Sequence, residues 1–268
     1  MDRFHAKKSL GQNFLIDNNI LSIIAHESEL NDTDVVVEVG PGQGALTQVL
    51  AEKAKQVIAF EIDGRLIPIL EEKFGQNEKI TIIHQDAVSV DLDAFLKSSG
   101  ITTYKFVANL PYSVGTTVLQ RFLRTSNHPQ LSLLMLQREV GEKIVAQAPE
   151  MSYLATFVQL FGKAELVKRV SRNCFNPKPK VESVLIKIIP HKKPLLPLEK
   201  LELFLTLVKA GFSRKRKMLL PVLASVFKIS QGDLAQAFAE AAINPQSRPQ
   251  EIVVGQWLTL FSLLENQL

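Results

Sequence analysis

The chain contains a single cysteine, Cys174, in 268 residues. That excludes an internal disulfide and leaves the fold to its apolar core. The five histidines, at positions 5, 26, 84, 128 and 191, are too scattered for metal-ligand spacing, so no metal site is expected. Long apolar runs are also lacking. None approaches the length that crosses a bilayer, and the basic amino terminus, Met1 to Lys8, is followed by no apolar signal core, so a cytoplasmic location is expected. Internal repeats and low-complexity tracts are absent. Hydrophobic residues, by contrast, make up 46% of the chain, enough for one large domain and a small one.

Net charge is only +4, yet the isoelectric point is near 9.1 and the positive residues are clustered. Residues 163–193 hold nine Lys or Arg against two Glu, and residues 209–217 hold five against no acid. One such run is most simply a solvated face. Three, counting residues 3–8, point to a polyanionic partner, because phosphate contacts draw their free energy from counterion release.

Short runs rich in branched or aromatic residues, at 35–39, 56–61, 79–84, 104–109 and 131–137, alternate with helix-length segments. The pattern predicts a mostly parallel α/β sheet covered on both faces. Helices are expected at 18–26, 45–55, 64–74, 92–98, 114–124, 139–147 and 153–161. The runs 163–170 and 181–189 are separated by a link too short for a helical crossover, which implies a terminal antiparallel strand pair. A proline-punctuated linker, Pro190 to Pro197, then leads into helical segments at 201–210, 217–227, 232–242 and 250–265. Domains of residues 1–192 and 193–268 are expected, the second small and all-helical.

Gly40-Pro41-Gly42-Gln43-Gly44-Ala45 follows a predicted strand and precedes a helix, and Glu61 falls twenty-one residues after Gly40 at the end of the next strand. Glycines let a ligand approach the backbone, and a carboxylate so placed accepts hydrogen bonds from ribose hydroxyls. A Pro-Gly turn would account for the glycines alone, but not for the spaced acid. The turn by itself suits NAD and S-adenosyl-L-methionine equally. Glu38 before it and Asp86 at the end of the third strand favour the methyl donor, since an acid-lined pocket suits a sulfonium and one carboxylate can accept from the adenine amino group. A dinucleotide would instead need a site for its pyrophosphate.

Asn109-Leu110-Pro111-Tyr112 closes the fourth run, at a strand end where α/β sheets place ligands. The lone pair of adenine N6 is delocalised into the ring. Acceptors at the Asn109 side chain and the Leu110 carbonyl would each take an amine proton and favour a more tetrahedral nitrogen, while Tyr112 stacks on the base. Phe175 is placed on the opposite face of the base, against the rival reading of a core plug. Lys7, Lys8, Lys178, Lys180, Arg214, Lys215, Arg216 and Lys217 are the candidate phosphate contacts.

These motifs, with Lys8 to Leu15, Glu61-Ile62-Asp63, Asp86-Ala87 and Phe175 to Ser183, closely resemble the ribosomal RNA adenine dimethyltransferase family, and within it the bacterial KsgA type. The resemblance spans nearly the whole chain. It implies a class I, Rossmann-like methyltransferase domain that uses S-adenosyl-L-methionine, followed by an RNA-binding helical domain. It also implies N6,N6-dimethylation of two adjacent adenosines near the 3′ end of small-subunit (16S) rRNA, late in 30S assembly. By the same resemblance Asn13 and Leu15 close over the donor and Gly40 meets its amino-acid end. Gly42 lies in the donor turn, Glu61 and Ile62 flank the ribose, Asp86 and Ala87 flank the adenine, and Asn109 stands beside the methyl. Gln85, where a Gly is usual, and Lys215 and Met218 depart from the family pattern. A monomer is expected. The rivals are a large-subunit rRNA adenine methylase of the antibiotic-resistance type, a non-catalytic assembly factor on the same scaffold, and a nicotinamide dehydrogenase, which would leave Asn109 to Tyr112 without a task.

Overall fold

The computed structural model describes Lys7 and residues 10–268; Lys8, named for RNA contact, lies outside the described residues. Contacts divide the chain into two units: residues 1–141 with 164–190, and residues 142–163 with 191–268.

The first unit runs β1 (Phe14–Leu15), α1 (Asn18–Glu27), β2 (Val35–Val39), α2 (Ala45–Lys53), β3 (Gln56–Glu61), α3 (Ile67–Phe74), β4 (Ile80–His84), α4 (Leu92–Ser98), β5 (Lys105–Asn109), α5 (Gly115–Leu123), β6 (Ser132–Gln137) and α6 (Arg138–Ile144). After α7 (Tyr153–Phe161) it resumes with β7 (Gly162–Val170), β8 (Phe175–Asn176) and β9 (Ser183–Pro190). Seven strands form one sheet in the order β4-β3-β2-β5-β6-β9-β7. Its first five are parallel, while β9 runs antiparallel to β6 from Ser183↔Gln137 to Ser132↔Ile188. The expected fold class is therefore the observed one.

The central strands are nearly unbroken apolar runs because helices cover both faces of a parallel sheet; Val36, Val37, Val57, Phe106, Val107, Leu133 and Leu134 are fully buried. Asp17 caps α1 by accepting from the backbone N–H of Asn19 and Ile20 at 2.9 and 3.1 Å. At the far end of α1, two buried lysines of the sheet are paired. Lys105 lies 2.9 Å from Asp34, and Lys187 lies 2.5 Å from Glu29 and 3.4 Å from Glu27. Because β3 flanks β2 on one side and β5 flanks it on the other, the strand order reverses at β2. The glycine turn after β2 and Asn109 to Tyr112 after β5 thus open onto one crevice at the topological switch point.

The second unit is helical: α7, α8 (Leu201–Phe212), α9 (Leu219–Phe227), α10 (Gln231–Glu240) and α11 (Val254–Leu264). Residues 142–163, read from sequence as part of the first domain, group here with the helices after His191. Physically, α7 is apolar almost all round, and it packs on α8 and α11. Trp257 of α11 is buried and lies over Gly211 of α8, where an added Cβ would come within 2.6 Å of the indole.

Candidate active site

The turn after β2 depends on its glycines at two points. Gly42 has φ +59 and passes under Phe14, whose ring would lie 2.7 Å from an added Cβ. Gly44 has φ +76 and meets Phe74 in the same way at 2.3 Å. The backbone N–H of Gly42 donates to Glu61 Oε2 at 3.2 Å, and that of Asp63 donates to Glu61 Oε1 at 2.8 Å. Each oxygen of Glu61 is thereby oriented and retains a lone pair for a ligand.

The segment ahead of α1 forms the next wall, and tertiary contacts hold it there. β1 pairs antiparallel with β8, Phe14↔Asn176 and Leu15↔Phe175. Gln12 acts as a clasp: its Nε2 donates to Asp63 Oδ2 at 2.8 Å, and its Oε1 accepts from the Lys7 backbone N–H at 2.7 Å. Asp63 is held in turn by the Arg65 guanidinium at 2.6 and 2.9 Å. Arg65, with Gln12 assisting, keeps the Asp63 carboxyl well below the usual carboxylate range. The sequence motifs included Gln12 and Asp63 without giving either a task; pairing between segments so far apart leaves no local pattern.

Asn109 ends β5. Its Nδ2 donates to the Asn13 carbonyl at 3.2 Å, which fixes the amide so that Oδ1 is the end left to accept. Leu110 donates its backbone N–H to Met135 O at 3.2 Å and buries its side chain. Among the described residues, no group donates to Asn109 Oδ1 or to the Leu110 carbonyl. Beside these two acceptors stands Tyr112, half-buried, its phenol hydrogen-bonded to Ser183 Oγ.

Two adjoining cavities occupy the crevice. One, of about 320 Å³, is lined by Asn13, Leu15, Glu38, Gly42, Asn109, Leu110 and Tyr112 among others. The second, of about 230 Å³, is lined by Asp86, Ala87, Phe60 and Val118. Gly40, Glu61, Ile62, Leu10 and Pro111 border both. Asp86 accepts from the Val88 N–H with Oδ1 at 2.8 Å. Glu38 accepts from Thr47 Oγ1 at 2.7 Å. Burial pushes the Glu38 carboxyl up to about 8, Thr47 pulls the other way, and the charge of Glu61 adds to the rise. Burial also raises Glu61, against the backbone N–H bonds that stabilise its anion.

Every residue expected at the donor thus lines one or the other cavity, as do Asn109, Leu110 and Tyr112. Phe175 does not. It is 3% exposed and belongs to the buried apolar cluster that includes Leu15, Leu21 and Leu185, so its ring is a core plug rather than an open stacking face. Lys7, Lys178 and Lys180 are exposed in the first unit, and Arg214 to Lys217 are exposed in the turn after α8 in the second. Among the described residues no cluster of His, Cys, Asp or Glu has metal-ligand geometry, and no helix is long and apolar enough to cross a membrane.

A glycine turn at the switch point, an acid at the next strand end and a capping amino-terminal segment, on this sheet order, define a Rossmann-like methyltransferase. Among solved structures, the 23S rRNA methyltransferase ErmE is 27% identical with a TM-score of 0.75, covering 94% of this chain and all of that one. A dimethyladenosine transferase from Plasmodium falciparum shares the fold with a TM-score of 0.78, at 24% identity over 95% of this chain and 98% of that one. Residues 3–266 match the family described as ribosomal RNA adenine dimethylase, and the chain belongs to that family. Relatives named ribosomal RNA small subunit methyltransferase A are 36% identical in Clostridium botulinum (strain Loch Maree / Type A3), over 95% of this chain and 92% of the relative. In Geobacillus sp. (strain WCH70) the figure is 37%, over 99% and 94%.

Proposed function

We propose that this protein transfers methyl groups from S-adenosyl-L-methionine to N6 of two adjacent adenosines near the 3′ end of small-subunit rRNA, making N6,N6-dimethyladenosine at both. The substrate is the rRNA within an assembling 30S particle, and the enzyme acts as a monomer. One observation carries this reading: two neighbouring acceptors, Asn109 Oδ1 and the Leu110 carbonyl, face no donor of the described chain and match the two protons of an aromatic amine.

The side chains lining the cavities suit the donor in chemistry. Asp86 and Ala87 would hold an adenine, the oriented Glu61 carboxylate a ribose diol, and Gly40, Gly42, Asn13 and Leu15 the amino-acid end. Bound there, the donor supplies a methyl group on a cationic sulfur, an electrophile needing no metal ion. The protein's own part is to position and polarise. Asn109 Oδ1 and the Leu110 carbonyl each accept a hydrogen bond from an N6–H, drawing electron density onto the nitrogen as it leaves planarity; neither needs to be a strong base, and the proton displaced by each methyl passes to water. Tyr112 supplies the stacking face, and walls such as Leu15 and Leu110 exclude water, so that orientation contributes much of the acceleration. Lys178, Lys180 and the Arg214–Lys217 turn would neutralise RNA phosphates.

Likeness to a 23S rRNA methyltransferase supports a second reading, in which the substrate adenosine lies in the large subunit. The small-subunit relatives are more similar and cover as much of the chain. Incubation of unmodified small and large subunits with labelled donor, followed by mapping, tests both. Label at two neighbouring adenosines of the small subunit is the expected result; label confined to large-subunit rRNA would exchange the readings.

A further inference from the structure

Tyr112 is the aromatic residue of the acceptor motif, and its ring swings about χ1 unless its far end is held. Here the far end is held. The phenol shares a hydrogen bond with Ser183 Oγ, seventy-one residues away in sequence. Ser183 is itself immobilised: it is fully buried, begins β9, and sits opposite Gln137 of β6. Its neighbours add a clasp, because the Arg138 N–H donates to Glu182 O at 2.9 Å and the two side chains form an ion pair at 2.9 Å.

We propose that Ser183 is a positioning residue for methyl transfer, its hydroxyl pinning the Tyr112 phenol and so fixing the place of the ring on which the target base stacks. The proposal rests on the stacking role given to Tyr112. Two features support it. With Phe175 buried in the core, Tyr112 is the aromatic face that the acceptor motif presents at the cavity, so its position sets the position of the base. The hydroxyl also reaches the ring from the rigid sheet rather than from a loop, the arrangement that holds a site within tenths of an ångström. Burial raises the phenol while the Ser183 hydrogen bond pulls it back, as expected of a contact made to a ring taken partly out of water.

The chain has three tyrosines, so ζ-¹³C-tyrosine labelling gives three resonances, and Tyr112→Phe identifies one of them. In Ser183→Ala that resonance should move. Activity on unmodified small subunits should fall about three- to tenfold in kcat/KM, the size expected for one hydrogen bond, with donor Kd unchanged. Ser183→Thr should restore both signals, and the Tyr112→Phe/Ser183→Ala double variant should be no worse than Tyr112→Phe alone. An unmoved resonance, or losses that add in the double variant, would overturn the proposal. Tyr112→Ala separates this failure from failure of the stacking role. If it is inactive while Ser183→Ala is silent, only Ser183 loses its part; if it is fully active, the stacking role and the proposal fall together.

Discussion

At the scale of single residues, the proposed chemistry rests on one amide with a fixed orientation. Truncation of Asn109 removes the proposed acceptor at the reacting nitrogen and, of the donor-site wall, only the Nδ2 bond to the Asn13 carbonyl. Asn109→Ala is therefore expected to lower kcat by about 10²–10³-fold, by analogy with loss of one preorganised hydrogen-bonding group, with little change in donor affinity by calorimetry. Unchanged turnover would remove the residue from the reaction. Glu38 offers a second test, through pH. Its folded carboxyl sits at about 8 against an ordinary 4.5, so the folded chain keeps a proton that the unfolded chain releases. The favourable contribution is complete below about pH 4.5 and is lost as pH rises through 8. Relative to Glu38→Gln, the wild type should lose unfolding free energy across that window, by up to about 1.4 kcal/mol per pH unit. Parallel pH profiles in denaturant titrations would contradict this.

At the scale of elements, the amino-terminal segment is a wall of the site attached from outside the parallel sheet. Its attachments include the two-residue pairing of β1 with β8, the Gln12 clasp onto Asp63 and the Asn109 bond to the Asn13 carbonyl. Gln12→Ala should loosen the wall with little effect on the fold, weakening donor binding about two- to tenfold while the thermal midpoint stays nearly constant. Titration of the donor and a melting curve check the two halves. How legible this layer was depended on length. β2, a run of apolar residues, and the turn that follows it could be read locally. β1 and β8 could not, because two residues show no periodicity and their partner lies far away in the chain. Phe175 was ambiguous for the same reason. A phenylalanine in a proline-rich loop can face outward or inward, and burial in the apolar cluster that includes Leu15, Leu21 and Leu185 decided for inward.

For the whole molecule, the basic stretches are the surface proposed to bind RNA. Arg214 to Lys217 are exposed in the second unit, and phosphate binding by exposed cations is weakened by salt. Neutral replacements at these four positions should weaken RNA binding and flatten its dependence on salt concentration. An unaltered slope would exclude this turn from the interface. The division into units was only partly legible. The proline-punctuated linker after Pro190 marks one real break. Residues 142–163 gave no such signal, because the position of α7 is set by which apolar faces it packs against, α8 and α11, and not by its place in the chain.

The amino-acid sequence by itself determined the alternation of strands and helices, the glycine turn with its spaced Glu61, and the Asn109-to-Tyr112 motif. Each is written in neighbouring residues whose backbone preferences and periodicity act locally. Tertiary structure alone decided that Asn13 orients Asn109, that Gln12 and Asp63 clasp the wall of the donor site, that Ser183 reaches Tyr112, and that Phe175 is core. These are contacts between distant segments. Their geometry exists only once the sheet has been assembled and buried, when the energy of packing and hydrogen bonding, rather than local propensity, selects one arrangement.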